Sequence, residues 1–243
     1  MVENVSIDVQ IWSDIACPWC YIGKRRFEKA LEEFAQADQV KVTWRSFQLD
    51  PTLPERDQRS EVDYLVETKG MGRKQIEQMM HHVKASAEGE GLTYDFDGLV
   101  VANSRKAHRV LHLAKQADQA DGGTRTDVLK EALLAAHFED AEDISDAEVL
   151  TRLAAQAGLD QADARAAVDS EELDHAVERD IALGHQIGVQ GVPFFVFANK
   201  YGVSGAQPPE VFAQVLETVA SEQAPSLITI DGESGEACGP DGC

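Results

Sequence analysis

The sequence predicts an α/β protein, and three patterns along its 243 residues lead to this class. Apolar and polar residues alternate near the N-terminus and again from Val40 to Trp44, with a helical pattern between the two runs. From Asp50 to Gln186 the apolar spacing is helical, and strand-like segments return only between Phe194 and Ser204. We therefore expect a parallel βαβ unit, a long helical stretch, and a final pair of strands followed by a helix.

Each element of the N-terminal unit has its own pattern. The first strand carries apolar residues at every second position, which are Val5, Ile7, Val9 and Ile11. The helix that follows has one apolar face, formed by Phe27, Ala30, Leu31 and Phe34. The second strand alternates through Val40, Val42 and Trp44. Because a helical crossover joins the two strands, we expect them to be parallel.

The middle of the chain shows helix boundaries as well as helical faces. Asn103 or Ser104 can cap one helix, and Ser145-Asp146-Ala147-Glu148 matches a capping box before another. A further helix is predicted over 171–184, and the pair Pro208-Pro209 precedes the last one. We expect a discontinuous α/β domain (1–49 and 187–221), a helical insertion (50–186) and a tail (222–243).

Composition and charge exclude several classes of partner. Acidic residues outnumber basic ones 43 to 22, a net charge of −21, which repels nucleic acids and anionic membranes. No stretch approaches the ~20 apolar residues of a membrane span, and the N-terminus lacks the pattern of a secretory signal. We therefore expect a cytoplasmic protein, in which four cysteines in two close pairs indicate redox or metal chemistry.

Cys17 and Cys20 lie two residues apart where the first strand meets the first helix. Unpaired backbone N–H groups and the helix dipole favour a thiolate at this place. We expect Cys17 to be the more exposed, attacking thiol and Cys20, one turn further, to be the resolving thiol. Pro18 suits the first helical turn because its missing N–H would be unpaired there. The alternatives are a buried disulfide and half of a zinc site.

The order of elements, with the Cys-x-x-Cys motif at the first helix, resembles the thioredoxin fold as a helical insertion interrupts it in the DsbA family. Gly188-Val189-Gln190-Gly191-Val192-Pro193-Phe194-Phe195 is similar to the family segment whose cis-proline faces the reactive cysteines. Trp12-Ser13-Asp14, Cys17-Pro18-Trp19-Cys20-Tyr21-Ile22-Gly23 and Val203-Ser204-Gly205-Ala206-Gln207 resemble the cytosolic FrnE-like branch. Members of that branch are dithiol–disulfide isomerases or oxidoreductases.

The resemblance implies roles for residues around the cysteines. A cis bond before Pro193 would leave the backbone of Val192 free to pair with an extended substrate. Trp19 and Phe194, with Trp12 and Phe195, are candidates to line an apolar groove for unfolded chain segments, although core packing is the alternative. The uncharged Pro-Trp pair implies a potential more reducing than the ~−120 mV of DsbA.

Three further residues are candidate supporting groups. Asp14 precedes the motif, where a carboxylate would either oppose thiolate formation or relay protons to Cys20. Asn103 and His108 resemble positions beneath the active site in FrnE-like and kappa-type glutathione transferase relatives. His108 and His112 have metal-ligand spacing, but packing is the preferred interpretation because no third ligand is evident.

Cys238 and Cys243 form a second pair in the tail. Gly239, Pro240 and Gly242 allow a turn in which the two sulfurs meet, although so short a loop would stabilise the fold by only about 2 kcal/mol. We expect this pair to relay electrons to or from Cys17 and Cys20. An inert or protective disulfide, and a Cys₄ zinc site shared with the first pair, are the alternatives.

The sequence therefore predicts a thiol–disulfide oxidoreductase or isomerase that acts on protein disulfides together with a thiol reductant. We expect no bound cofactor or metal, with glutathione as a potential co-substrate. One alternative is a glutathione-dependent isomerase or transferase, such as 2-hydroxychromene-2-carboxylate isomerase or a kappa-type enzyme. Another is a chaperone or metal-binding module. Activity that survives Cys17→Ser would favour these alternatives.

Overall fold

A four-stranded mixed sheet organises the α/β part of the molecule. The computed structural model describes residues 6–223. Its strands are β1 (Ile7–Ser13), β2 (Val40–Ser46), β3 (Phe194–Phe197) and β4 (Tyr201–Ser204), in the spatial order β2-β1-β3-β4. β1 is parallel to β2 and antiparallel to β3, and β4 is antiparallel to β3. The predicted parallel βαβ unit is therefore present.

Helices make up most of the remaining described chain. Their bounds are α1 (Pro18–Glu32), α2 (Glu61–Lys69), α3 (Arg73–Glu88), α4 (Arg105–Asp121), α5 (Arg125–Phe138), α6 (Ala147–Gln156), α7 (Gln161–Val168), α8 (Glu171–Gln186) and α9 (Pro209–Gln223). Helices α2 to α8 all lie between β2 and β3 in the sequence, where the insertion is predicted. None of the helices within residues 6–223 is long and apolar enough to cross a membrane.

An aromatic core fills the space between the sheet and the helices α1 and α9. Phe27 of α1 lies 5.7 Å from both Phe195 and Phe212, measured between ring centroids. Phe195 and Phe212 are 4.6 Å apart. Alternation along β1 buries Ile7, Val9 and Ile11 in the same core. These contacts hold α1, and with it the cysteine motif, against the sheet.

Two further contacts join the helical region to the sheet. Tyr21 and Ile22 of α1 pack in one apolar cluster with Leu134 and Phe138 of α5. Asp180 of α8 is a buried carboxylate that accepts hydrogen bonds from two elements, β2 and α4. Its donors are Arg45 Nη1 (2.8 Å), Ser46 N (3.1 Å) and Lys115 Nζ (2.8 Å), and His112 Nε2 lies 3.2 Å away. The helical region is therefore anchored to α1 and to strand β2.

The predicted capping box is wrong in its register. Asp146, not Ser145, is the N-cap of α6, and its side chain accepts from the backbone N–H groups of Glu148 and Val149. The Ser145 hydroxyl instead donates to Asp143 at 2.6 Å, because that carboxylate lies in the same turn. At α4, Ser104 occupies the N-cap, but it is Asn103 that accepts from the Arg105 N–H, at 2.9 Å.

Candidate active site

Cys17 and Cys20 are brought to the start of α1 by the end of β1. Cys17 is the N-cap in extended conformation, and Pro18 is the first helical residue. The Cys20 N–H donates to the Cys17 carbonyl at 3.0 Å. Both thiols are free, and they are only 3% and 1% exposed. Cys17 is the more exposed of the two, as predicted, but its sulfur is buried beside the segment that carries Val192.

The segment before β3 lies directly against Cys17. The Val192–Pro193 peptide bond is cis, as the sequence motif predicts. Cys17 Sγ lies 3.5 Å from the Val192 carbonyl oxygen. A Cβ atom on Gly23 of α1 would lie 2.9 Å from Pro193 Cγ. The absence of a side chain at Gly23 therefore lets α1 approach Pro193 closely.

The surroundings of the two sulfurs favour negative charge on Cys20. The hydrogen bond to Cys20, burial and the charge of Asp14 raise the pKa of the Cys17 thiol well above its ordinary value. Burial acts to raise the pKa of Cys20 as well, but the hydrogen bond from Cys17 and the charge of Lys130 hold it below its ordinary value. The helix N-terminus alone predicts the lower pKa for Cys17, so the order of the two pKa values is reversed.

Asp14 is a buried carboxylate beneath the motif. It accepts from the backbone N–H of Leu49 at 2.8 Å, and His108 Nε2 lies 3.3 Å away. Burial opposes ionisation, but these bonds and His108 keep the pKa of Asp14 below its ordinary value. Burial lowers the pKa of His108, so its imidazole is neutral at neutral pH and donates from Nε2. Asp14 was predicted either to oppose thiolate formation or to relay protons. Its charge raises the pKa of Cys17 and therefore opposes thiolate formation there.

Asn103 supports the loop after β2 and makes its side-chain contacts there. Its Oδ1 accepts from Gln48 Nε2 at 2.8 Å, and its Nδ2 donates to the Leu53 carbonyl at 2.7 Å. Leu49 in this loop is 52% exposed although its N–H bonds the buried Asp14. The structure therefore links His108 to the motif through Asp14, and Asn103 to the loop beside it.

Trp19 and Phe194 do not share one groove. Trp19 is half-buried against α3, where its ring centroid lies 5.8 Å from that of His82. Phe194 and Val192 pack instead against Trp12. Trp12 and Phe195 are fully buried core residues, because the Trp12 indole donates to the Asp180 carbonyl at 2.8 Å and Phe195 belongs to the aromatic core.

Sequence reasoning missed three residues of the site. The Tyr94 hydroxyl donates to the Pro18 carbonyl at 2.7 Å. Lys130 of α5 is 1% exposed, and Ser13 has a buried hydroxyl. A signal for Lys130 does exist, since it lies four residues before Leu134 and seven before His137, on one buried helix face. The apolar residues of α5 do not reveal that Lys130 is buried, because the buried face also carries the polar residues Lys130 and His137.

The described residues hold no group of three histidine, cysteine or acidic side chains placed to bind a metal ion. The predicted relay pair, Cys238 and Cys243, lies outside the described residues. The alternative of a Cys₄ zinc site needs the tail pair as well as Cys17 and Cys20, so it stays a prediction.

Comparison with known proteins gives matches along nearly the whole chain. The model of the DSBA-like thioredoxin domain matches residues 8–217. The crystal structure of the probable DsbA oxidoreductase SCO1869 from Streptomyces coelicolor is 42% identical, covers 98% of each chain and has a TM-score of 0.83. The cytosolic disulfide reductase DsbM from Pseudomonas aeruginosa is 20% identical over 88% of this chain and 99% of its own, with a TM-score of 0.61. A 2-hydroxychromene-2-carboxylate isomerase is 11% identical over 89% and 98%, with a TM-score of 0.62. The last two similarities show a common fold.

Proposed function

Because this chain belongs to the family of DsbA-like thioredoxin domains, we propose that it exchanges thiols and disulfides with protein substrates through Cys17 and Cys20. The observation that carries the proposal is the position of the Cys17 sulfur, 3.5 Å from the carbonyl oxygen that precedes the cis-proline. A substrate strand that pairs with Val192 would present its sulfur to Cys17 first. Cys20 lies behind Cys17 as the second thiol.

The reaction has two displacement steps in the reducing direction. The Cys17 sulfur, as it loses its proton, attacks one sulfur of the substrate disulfide, forming a mixed disulfide and releasing the first substrate thiolate, which takes a proton. The Cys20 thiolate then attacks the Cys17 sulfur and releases the second substrate thiolate, which is also protonated. The substrate gains two electrons and two protons, while the enzyme ends with a Cys17–Cys20 disulfide. The reverse sequence oxidises a dithiol substrate.

We propose reduction or isomerisation as the net direction, in the cytoplasm. The Pro18-Trp19 pair brings no positive charge to the cysteines, which supports a potential lower than that of DsbA. A glutathione poise of about −220 to −320 mV in the cytosol would also favour reduction. Glutathione is the small thiol that we propose as reductant for the enzyme disulfide, with Cys238 and Cys243 as the internal relay.

An equilibrium redox titration tests the proposal. The purified chain is placed in graded mixtures of a dithiol and its disulfide, and mass-tagging of thiols reports each cysteine separately. We expect one reversible two-electron transition at Cys17 and Cys20. In assays with a model protein disulfide, Cys17→Ser should abolish exchange, and Cys20→Ser should accumulate the mixed disulfide.

Two outcomes would contradict parts of this proposal. Retained activity in Cys17→Ser would overturn the exchange mechanism and favour the glutathione-dependent isomerase or the chaperone. Unchanged turnover in the Cys238→Ser, Cys243→Ser double variant, with glutathione as reductant, would exclude the relay and leave the exchange itself untouched.

A further inference from the structure

We propose that Tyr94 is a positioning residue, which holds the first turn of α1 so that Cys20 stays within reach of Cys17. Tyr94 lies in the segment between α3 and α4. It acts through the carbonyl group of Pro18, a residue that stands between the two cysteines in the chain. This inference rests on the proposed thiol–disulfide exchange and assigns a residue that controls its second step.

The start of α1 lacks the side-chain hydrogen bond that often fixes a helix N-terminus. Cys17 is the N-cap, but within residues 6–223 its side chain makes no capping hydrogen bond. Pro18, the first helical residue, has no backbone N–H to be capped. The Cys20 N–H donates to the Cys17 carbonyl at 3.0 Å, which joins the two cysteines without tying them to another element. The position of this turn therefore depends on contacts with other parts of the protein.

Tyr94 provides such a contact. Its side chain is 1% exposed, and its hydroxyl donates to the Pro18 carbonyl oxygen at 2.7 Å. Burial raises the pKa of Tyr94, so the hydroxyl keeps its proton and remains a donor while the thiols titrate. A carbonyl oxygen has two lone pairs, so it can accept this bond together with a helical one.

The end of α5 fixes the position of Tyr94. The Tyr94 ring stacks on that of Phe138, the last residue of α5, with the centroids 4.9 Å apart. The backbone is held on either side of the tyrosine. The Thr93 N–H donates to Glu139 Oε1 at 2.7 Å. The Asp95 N–H donates to the Phe138 carbonyl, also at 2.7 Å. Tyr94 therefore connects the end of α5 to the first turn of α1.

The Pro18 carbonyl belongs to the peptide group that joins Pro18 to Trp19, midway between the cysteines. A hydrogen bond to its oxygen restricts the rotation of this peptide group, and with it the separation of Cys17 and Cys20. A disulfide restricts the same motion, because its two Cα atoms have to lie about 4.4–6.8 Å apart. The hydrogen bond therefore costs less ordering in the disulfide form than in the dithiol form, and each stabilises the other.

The hydrogen bond acts on the second step of the exchange. In this step the Cys20 thiolate forms a bond to the Cys17 sulfur, and the bond between Cys17 and the substrate breaks. The departing substrate thiolate takes up the proton that Cys20 gave up. Because this attack is intramolecular, its rate depends on how often Cys20 lies within reach of Cys17. Tyr94 raises that fraction, whereas the first step joins Cys17 to a separate molecule and does not need it.

A redox titration of the full-length chain tests the proposal. The tail cysteines Cys238 and Cys243 are replaced by serine, so that only the first pair can be oxidised. Tyr94→Phe keeps the ring, so we expect the chain to fold without the hydroxyl. The equilibrium should move about threefold to tenfold towards the dithiol, the size of effect that one hydrogen bond produces. A tenfold change is about 30 mV towards a more oxidising pair.

Rapid mixing with a model protein disulfide separates the two steps of the exchange. Acid quenching and mass spectrometry measure how fast the mixed disulfide forms and how fast it is resolved. In Tyr94→Phe the second step should slow about threefold to tenfold. The rate of the first step should stay that of the unsubstituted tyrosine.

Stability measurements in the two redox forms give a result that a merely structural contact would not produce. Because the hydrogen bond and the disulfide stabilise each other, Tyr94→Phe should lower the free energy of unfolding more in the disulfide form than in the dithiol form. By linkage, the difference should equal the shift of the redox equilibrium. Urea unfolding of the oxidised and the reduced protein measures both losses.

Tyr21→Phe is the matched control. The Tyr21 ring stacks on that of Tyr94 with the centroids 6.2 Å apart, but its hydroxyl donates to Glu131 of α5 instead of to the backbone of the motif. Removal of this hydroxyl should cost the same stability in both redox forms. It should also leave the redox equilibrium unchanged.

Three results would overturn the proposal. They are equal losses of stability for Tyr94→Phe in the two redox forms, a shift of its equilibrium towards the disulfide, and an equal shift in Tyr21→Phe. Failure of the exchange function is a separate result. If the pair does not react with a protein disulfide, the proposed function is wrong. A Cys17–Cys20 disulfide made with a chemical oxidant still allows the stability comparison, which then reports what Tyr94 does.

Discussion

Asp14 places a negative charge beneath two sulfurs that need to become negative themselves. Its carboxylate is buried, bonded to the Leu49 N–H and within 3.3 Å of His108. The same charge raises the pKa of Cys17 and opposes the lowering of the Lys130 pKa. Asp14 therefore restrains the attacking thiol while it helps to keep the lysine charged.

Replacement of Asp14 by asparagine should make Cys17 more acidic. The neutral amide removes the carboxylate charge, so we expect the pKa of Cys17 to fall. Alkylation rates of the reduced protein against pH measure this value for each cysteine. Asp8→Asn, which neutralises an exposed carboxylate of β1, is the control and should change nothing. A higher Cys17 pKa in Asp14→Asn would contradict the effect that we assign to the Asp14 charge.

His137 makes the stability of the protein depend on pH. Burial lowers its pKa from an ordinary value of 6.5 to about 4, and its Nδ1 has no hydrogen-bond partner in the described residues. The unfolded chain therefore takes up a proton at a higher pH than the folded chain. The stabilisation is complete above pH 6.5 and is lost as the pH falls towards 4, by about 3 kcal/mol.

Urea unfolding at pH 7 and pH 5 tests the contribution of His137. His137→Leu should lose less stability than the wild type between these values, although His108 and His112 keep part of the dependence because their pKa values are also lowered. His175→Gln, at an exposed histidine, should behave as the wild type. Identical pH dependence in His137→Leu and the wild type would refute the assignment.

The contact between α1 and the segment before β3 depends on one glycine. Alanine normally stabilises a helix interior by about 1 kcal/mol relative to glycine. At Gly23, however, the new methyl group would lie 2.9 Å from Pro193 Cγ, so one of the two elements has to shift.

We expect Gly23→Ala to lower the free energy of unfolding by about 1–2 kcal/mol, within the range of overpacked cores, and to slow disulfide exchange. Urea unfolding and the exchange assay measure the two effects. Gly89→Ala at the end of α3 is the matched control, since its methyl group would meet only an ordinary contact of 3.4 Å. A stabilised Gly23→Ala would show that the contact is looser than described.

The sheet and the helical region share buried contacts, so the described molecule should unfold as one unit. Asp180 joins β2, α4 and α8 through Ser46, Lys115 and His112. Replacing it with asparagine leaves Lys115 without its buried partner. We expect a loss of about 3–5 kcal/mol.

Tryptophan fluorescence and far-UV circular dichroism should report this loss at the same urea concentration. Trp12 and Trp44 lie in the sheet, while most of the dichroism arises from the helices. Two separate transitions in Asp180→Asn would mean that the sheet and the helices unfold independently. The wild type, measured in the same way, sets the reference midpoint.

Local patterns predict the elements of this fold but not the surroundings of the sulfurs. The alternation of Val9 and Ile11 and the Gly-Val-Pro segment indicate β1 and the cis bond correctly. Lys130, in contrast, influences the pKa of Cys20 only because α5, more than 100 residues further along the chain, packs on α1. The charge order of the two thiols depends on that long-range contact, so the spacing of Cys17 and Cys20 cannot reveal it.

The burial of both sulfurs has a consequence for the choice of substrate. At 3% exposure, Cys17 offers little surface, so a protein sulfur has to lie on a segment that can enter the site beside Val192. A disulfide held inside a folded protein meets this condition only when its own segment opens. For the proposed exchange, each 1.4 kcal/mol of local stability in the substrate should slow the reaction about tenfold. Misfolded chains would then react before native ones, and the stability of the substrate would set the order of repair.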